Sequence, residues 1–173
     1  GSSLFVSGVV TVGATAMNKS PVTLANETPI ARLTAEAEAI IVPASSPHKT
    51  LDSLLKAFKA DPGKVSWGGG SAGGTDHILV GLIAKAIGAD PKKINYVPFK
   101  GGGEAIAAIL GGHVTAGVSG IGEFSEQIKS GKMRALAQSG PTKVEGIASL
   151  KEQKVNVELG NWRGVFGAPG ITP

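Results

Sequence analysis

The chain has 173 residues, no cysteine, 26 glycines and a formal net charge of +4. That length holds one domain or two small lobes around a real core, and zero cysteines exclude a disulfide framework and thiolate metal sites. A hydrophobic content of 42% argues against a disordered chain, and 5% aromatics without dense Lys/Arg clusters argue against a nucleic-acid surface.

The first 18 residues, GSSLFVSGVVTVGATAMN, carry no charge. They lack the basic start of a signal peptide and hold too much Gly, Ser and Thr for a membrane span. We expect a buried strand at Leu4–Ser7 running into a loop. With no initiator Met and no polar leader, the chain reads as a piece of something longer. A second strand is expected at Ala37–Pro43. PASSPHKT (43–50) turns the chain into a helix, Thr50–Ala60, with Leu51, Leu54, Leu55 and Phe58 on one face and DPG at its end. KVSWG (64–68) alternates like a strand, and Gly69–Gly74 is a loop. Thr75 caps the next helix, whose apolar positions are Ile78, Leu79, Leu82, Ile83, Ala86 and Ile87, with Gly88 as its stop. INYVPF (94–99) is a strand and KGGG (100–103) a loop. Glu104 opens a helix carrying Ile106, Ile109 and Leu110, stopped by Gly111-Gly112. VTAGVS (114–119), a GIG turn, a short helix with Phe124 and Ile128, and MRALAQS (133–139) follow. Residues 147–153 suggest another short helix and Trp162–Gly167 a last strand.

Strands alternating with helices over short loops predict βαβ units and a mostly parallel sheet. The right-handed crossover rule then gathers GGGSAGG, KGGG and SGIG on one rim. Each loop ends at a helix N-terminus, which offers unpaired N–H donors and partial positive charge. One terminus contributes roughly 0.3–1 kcal/mol by its dipole, whereas micromolar binding needs roughly 8 kcal/mol. Charge-assisted hydrogen bonds, at about 1.5–3 kcal/mol each, must supply the rest. Ser71, Thr75 and Ser119 are the polar side chains placed to help. Residues 49–139 hold eleven Lys/Arg against seven Asp/Glu, which is the whole net charge of +4. That excess suits a small anion.

Other readings of the same residues stay open. Gly68, Gly70 and Gly73 match G-x-G-x-x-G between a strand and a helix, the pattern of a dinucleotide site. The second strand ends in VPFK, with Lys100 where that pattern places an acid, and Asp90 lies before the strand instead. There is no Walker A pattern. Ser71 is not in a G-x-S-x-G elbow, and His48, His77 and His113 have no metal-ligand spacing. His77 either faces a cleft or stacks on a neighbouring strand. Glu104 and Glu123 fall in first helical turns, where acids favour the dipole without catalysis. Trp67 and Trp162 read as core. Lys100 reads equally as a carboxylate partner or as a solvated strand end.

KVSWGGGSAGGTDH, INYVPFKGGGEAIAAILGGHVTAGVSG and QIKSGKMRALAQS, with the later LKEQ…VELGNWRGVFGAPG, resemble the substrate-binding proteins of tripartite tricarboxylate transporters, the Bug or TctC family, in its tricarboxylate-type branch. The resemblance runs from Leu4 to Pro173. It implies an α/β, two-lobed periplasmic-binding-protein-like fold of the flytrap type, with one lobe complete and one partial. Residues 49–139 would form the second lobe, with 1–48 and 140–173 contributing part of the first. It implies no enzyme activity and no cofactor. The expected role is capture of a di- or tricarboxylate such as citrate, in the periplasm or lipid-anchored outside the cell, for delivery to membrane subunits of the transporter. Ligand contacts carry over to Ser71, Ala72, Gly73, Gly74 and Thr75, to Lys100, Gly101 and Gly102, and to Ser119 and Gly120, with Ser7, Gly8 and Gly13 from the first lobe. Phe99 stands where many members have tyrosine. VSGIGE stands where many have an aspartate, which implies a less acidic site. The earlier strand–loop–helix of the first lobe is not in this sequence. A regulatory effector-binding domain of similar architecture would need a helix-turn-helix, and none is legible here.

Overall fold

The computed structural model describes residues 3–171. Seven strands and five α-helices follow the chain: β1 (Leu4–Gly8), α1 (Val9–Met17), β2 (Thr28–Pro43), α2 (Leu51–Ala60), β3 (Ser66–Gly69), α3 (Thr75–Ile87), β4 (Asn95–Pro98), α4 (Gly102–Leu110), β5 (Ala116–Gly120), α5 (Ile121–Lys129), β6 (Met133–Gln138) and β7 (Gly160–Gly167). The strand order is β1-β7-β2-β5-β3-β4, with β6 also paired to β2.

The 16-residue β2 organises the molecule. Its first half, Thr28–Ala37, pairs antiparallel with β7, which pairs antiparallel with β1. Its second half, Glu38–Pro43, pairs antiparallel with β5 and β6. One strand therefore belongs to two sheets, and the boundary between them lies near Ala37 instead of after residue 48. Only β3–β4 and β3–β5 are parallel. The expected mostly parallel sheet is thus a mixed one. The βαβ units behave as predicted, but β2 enters the same sheet from the opposite direction.

Two hydrophobic layers cover that mixed sheet. On one face Ile40 and Val42 of β2 meet Leu51, Leu54 and Phe58 of α2 and Leu79, Val80 and Ile83 of α3. Trp67 is fully buried there, edge-on to Phe58 with ring centroids 5.1 Å apart. On the other face Ala39 and Ile41 meet Ala108 and Ile109 of α4 and Phe124 of α5. The alternation of β2 side chains sorts the two layers.

Several expectations need correction. β1 is not buried: Leu4 is 61% and Val6 62% exposed. The expected loop after it is α1, whose residues VVTVGATAM offer few helix-forming signals and no cap. It forms because Gly13 packs so closely on the Gly73 carbonyl oxygen that a Cβ there would overlap it. Residues 147–153 form turns, not a helix. Ser149 and Glu152 cap each other there, and Lys154 takes φ 65 and ends the turn. Thr75 is the first helical residue of α3 and Gly74 the cap, with no side-chain cap bond. Leu82 is 36% exposed, because the buried stripe of α3 runs through Leu79, Val80, Ile83 and Ala84. Trp162 is only half-buried, tilted against Phe166.

The seam between β5 and α4 has no spare volume. A Cβ at Gly117 would overlap Ile109 and lie 3.1 Å from Ile41 Cγ1. Gly117→Ala should cost about 1–3 kcal/mol of unfolding free energy in a urea titration, as overpacked cores do. Adding Ile109→Val should recover part of that loss; an additive further loss would show that the seam is not overpacked.

Candidate functional site

Where β3, β4 and β5 end, their three following loops do meet along one rim. Gly69–Ser71 and Gly74-Thr75, Phe99–Gly102 and Ser119-Gly120 all line a cleft of about 340 Å³. Parallel pairing of β3 with both neighbours puts the three helix N-termini at the same sheet edge. Asn161 and Arg163 from β7, Val10 from α1, and Glu36 and Glu38 from β2 close the other side.

Each expected contact residue has a definite place. Ser71, Gly74, Thr75, Lys100, Gly101, Gly102, Ser119 and Gly120 line the cleft. Thr75 Oγ1 reaches across to Asn161 Oδ1 at 3.2 Å, linking the two sheets. Ala72 and Gly73 do not line the cleft: Gly73, at φ 76, gives its N–H to His77 Nδ1 at 3.0 Å. Ser7 and Gly8 line a separate small depression of about 180 Å³ that shares Asn161 and Arg163 with the cleft. Ser7 Oγ bonds to Thr11 Oγ1 at 2.7 Å, so it holds the start of α1. Gly13 faces the Gly73 carbonyl and no cleft. His77 stacks on Tyr96, centroids 4.2 Å apart and 10° from parallel. His48 bonds Ser53, and His113 is exposed.

The site is acidic although VSGIGE places no aspartate after the third strand. Four carboxyl groups line the cleft: Glu36, Glu38, Asp76 and Glu123. Three loops already carry carboxylates of the chain itself. Asp76 Oδ2 accepts the Gly70 N–H at 2.7 Å. Glu104 Oε2 accepts the Lys100 N–H at 3.2 Å, and Glu123 lies where a Cβ on Gly102 would be. Glu36 Oε1 accepts the Gly122 N–H at 3.1 Å and packs over Gly120. Gly102 and Gly120 thus make room for protein carboxylates. Sequence reasoning missed Glu36 and Glu38, although the alternation in AEAEA places both on one face of β2, and missed Asp76, although it stands in the first turn of α3.

Glu38 is fully buried, and neither of its oxygens meets a donor among the described residues. Burial, then a hydrogen bond to Asp76, then the charges of Asp76, Glu36 and Glu123, push its carboxyl up to about 9. At neutral pH it is therefore protonated, close to the Asp76 carboxylate. Tyr96 is pushed upward by burial and by the Asp76 and Glu38 charges, and its hydroxyl donates to the Gly70 carbonyl at 2.9 Å. Lys100 and Arg163 are the cations of the lining, and neither is in an ion pair among the described residues.

A family model described as the tripartite tricarboxylate transporter family receptor, TctC, matches residues 5–173. The chain belongs to that family. It is a family of substrate-binding receptors, not of enzymes, which sets the dinucleotide reading aside. Asp90 agrees, since its carboxylate caps its own turn at the Lys92 N–H, 3.0 Å away. Among curated relatives, BugT of Bordetella pertussis is 39% identical over 88 residues, covering 51% of this chain and 26% of its own. A TctC solute-binding protein from Polaromonas superposes with a TM-score of 0.79 at 29% identity, covering 99% of this chain and 58% of its own. MatC of Rhodopseudomonas palustris, solved with malate bound, superposes at 0.81 with 21% identity and shows the shared fold. The chain therefore spans about a quarter of BugT and somewhat over half of the solved TctC protein.

The His77–Gly73 bond requires an unprotonated Nδ1. Burial lowers the His77 pKa, so the neutral imidazole contributes stability above the unfolded value of about 6.5, lost as pH falls below it. The first loop should lose amide exchange protection at Gly73 as pH drops from 7 to 5. His77→Phe, which keeps the ring stack, should show that loss already at pH 7. Equal protection at both pH values in the wild type would exclude the coupling.

Proposed function

We propose that this chain is the ligand-gripping part of a periplasmic solute receptor that captures a small carboxylate and presents it to the membrane subunits of a tripartite tricarboxylate transporter. Two lobes, divided where β2 passes from one sheet to the other near Ala37, close on the ligand without bond chemistry. The observation that carries the reading is the pair of unpaired cations, Lys100 and Arg163, facing a cleft rimmed by three helix N-termini. Among the described residues no helix is long and apolar enough to cross a membrane.

The charges narrow the ligand. Two cations match two carboxylates. A triply charged citrate would turn its third carboxylate toward Glu36, Asp76 or Glu123, a like-charge contact that costs affinity. The reading is therefore a dicarboxylate of about four carbons, favoured over the citrate-like tricarboxylate that the sequence suggests. A volume of about 340 Å³ is at the small end of the usual range for ligand sites. MatC, of the same fold, is described with malate, which is of that size.

Calorimetric titration should find succinate tighter than citrate at pH 7. Lys100→Met and Arg163→Met should each weaken succinate by roughly 10- to 100-fold, the worth of one charge-assisted hydrogen bond. Citrate binding tighter than succinate, or two silent substitutions, would overturn the dicarboxylate reading.

A further inference from the structure

Residues 49–139 carry the whole excess of positive charge, yet little of it faces the cleft. Of their eleven Lys/Arg only Lys100 lines it, whereas Asp76, Glu104 and Glu123 stand in the first turns of the three helices at the rim. Away from the rim, ten cations stand against four acids. Five of the ten gather at the opposite end of the mixed sheet. β3 and β4 run parallel, so the short 3-10 turns that precede them, Pro62–Lys64 and Pro91–Lys93, lie side by side there. Asn95 Nδ2 donates to the Gly63 carbonyl at 3.3 Å and ties the start of β4 to the first of these turns. α2 ends at Ala60 just before the first turn, and α3 ends at Ile87 just before the second. Lys59, Lys64, Lys85, Lys92 and Lys93 are thereby brought to one end, and all five are exposed.

Helix dipoles explain only two of these lysines, Lys59 and Lys85, which sit in last helical turns. Lys64, Lys92 and Lys93 belong to three-residue turns that have no dipole to answer. The two acids nearby do not neutralise the cluster. Asp61 Oδ1 accepts the Gly63 N–H at 3.2 Å and Asp90 Oδ1 the Lys92 N–H at 3.0 Å, so each holds its own turn. Asp61 Oδ2 lies 3.6 Å from Lys64, and the other four lysines are in no ion pair among the described residues. Residues 59–64 and 85–93 expose no large apolar side chain and contain no aromatic residue and no arginine. Protein interfaces are poor in lysine and depend on such anchors. Lysines without anchors, each a flexible and strongly hydrated point charge, suit a diffuse layer of phosphate charge instead. We propose that this end of the mixed sheet docks on an anionic lipid surface, through headgroup phosphates and without insertion. The cleft, at the other end, then faces away from the bilayer and stays open to its ligand. Docking there is independent of which ligand the cleft takes.

Sedimentation of the purified chain with lipid vesicles at pH 7 decides the matter. Partitioning onto phosphatidylcholine vesicles holding about one-third phosphatidylglycerol should exceed that onto phosphatidylcholine alone by about tenfold or more at low salt, and should vanish as salt rises to about 0.5 M. Each lysine close to such a surface is worth roughly fivefold in partitioning. Lys92→Gln with Lys93→Gln should therefore weaken binding by about tenfold or more. Lys19→Gln with Lys143→Gln removes the same charge from exposed positions elsewhere and should change it by less than about twofold. All four side chains are exposed, so both double variants should melt as the wild type does. The lipid and salt series use the wild type alone, so they still decide the question if a variant misfolds. Equal binding to both kinds of vesicle would trace adhesion to the exposed apolar side chains of β1 and overturn the lysine surface. Equal losses from the two double variants would reduce it to net charge and overturn it as well. Retention on immobilised polyglutamate without binding to either vesicle would assign the five lysines to an acidic protein partner, against the lipid proposal.

Discussion

The Asp76 carboxylate, accepting the Gly70 N–H at 2.7 Å, is the contact on which the cleft depends. It folds the first glycine loop back over the start of α3 and fixes where that loop's remaining N–H groups point. Tyr96 secures the same loop from β4 through the Gly70 carbonyl, and His77 secures it from α3 through the Gly73 N–H. At Gly69 there is no room for a side chain: a Cβ would lie 2.5 Å from the Tyr96 hydroxyl and 2.9 Å from the Val118 carbonyl oxygen. Glycine is needed at this position for close approach of backbone to its neighbours. The ligand is not required to explain it.

The same economy holds along the rim. A helix N-terminus attracts a carboxylate whether it belongs to a ligand or to the protein. Here the protein supplies its own, so the termini of α3, α4 and α5 are largely neutralised before anything enters. What remains for a ligand is side-chain charge. Lys100 and Arg163 are the cations left to supply it. The buried Glu38 carboxyl is costly to keep. A carboxyl whose folded pKa is raised is fully compatible with the fold only below its unfolded value, about 4.5, and loses stability as pH rises toward 9. At 1.36 kcal/mol per unit, the cost is on the order of 3 kcal/mol by pH 7.

Much of this was legible in the sequence, for a physical reason. Regular βαβ units announce themselves through periodicity and glycine stops, and parallel pairing then dictates that GGGSAGG, KGGG and SGIG share an edge. Most residues of those loops then line the cleft, while Ala72 and Gly73 turn away from it. What was illegible is whatever depends on contacts between distant segments. α1 has no cap and too many β-branched residues to declare itself, and it exists because Gly13 fits the Gly73 carbonyl. Glu36 and Glu38 sit in a strand whose path through two sheets is set by β5, β6 and β7, far along the chain. Charge counts along the sequence assigned the middle segment an excess of +4, yet the cleft is acid-rich, because two of its four carboxyls arrive from β2.

That path also explains why the acids sit where they do. β2 leaves one sheet and joins the other near Ala37, between Glu36 and Glu38. Its register also shifts between Pro29 and Ala31, between Arg32 and Thr34, and between Ile40 and Ile41. Such shifts bend a strand and increase its twist. Glu36 reaches forward to the Gly122 N–H, and Glu38 points inward to Asp76, so both report on the angle of the bend. On the far side, Thr75 Oγ1 and Asn161 Oδ1 tie the α3 terminus to β7 across the same gap. A ligand held between Lys100 on one sheet's loops and Arg163 on the other sheet would pull on that bend. Its charge would be felt first by the two glutamates that flank it. The cleft lining and the relative setting of the two sheets thus share one stretch of chain, residues 36–38, so a substitution there changes both together.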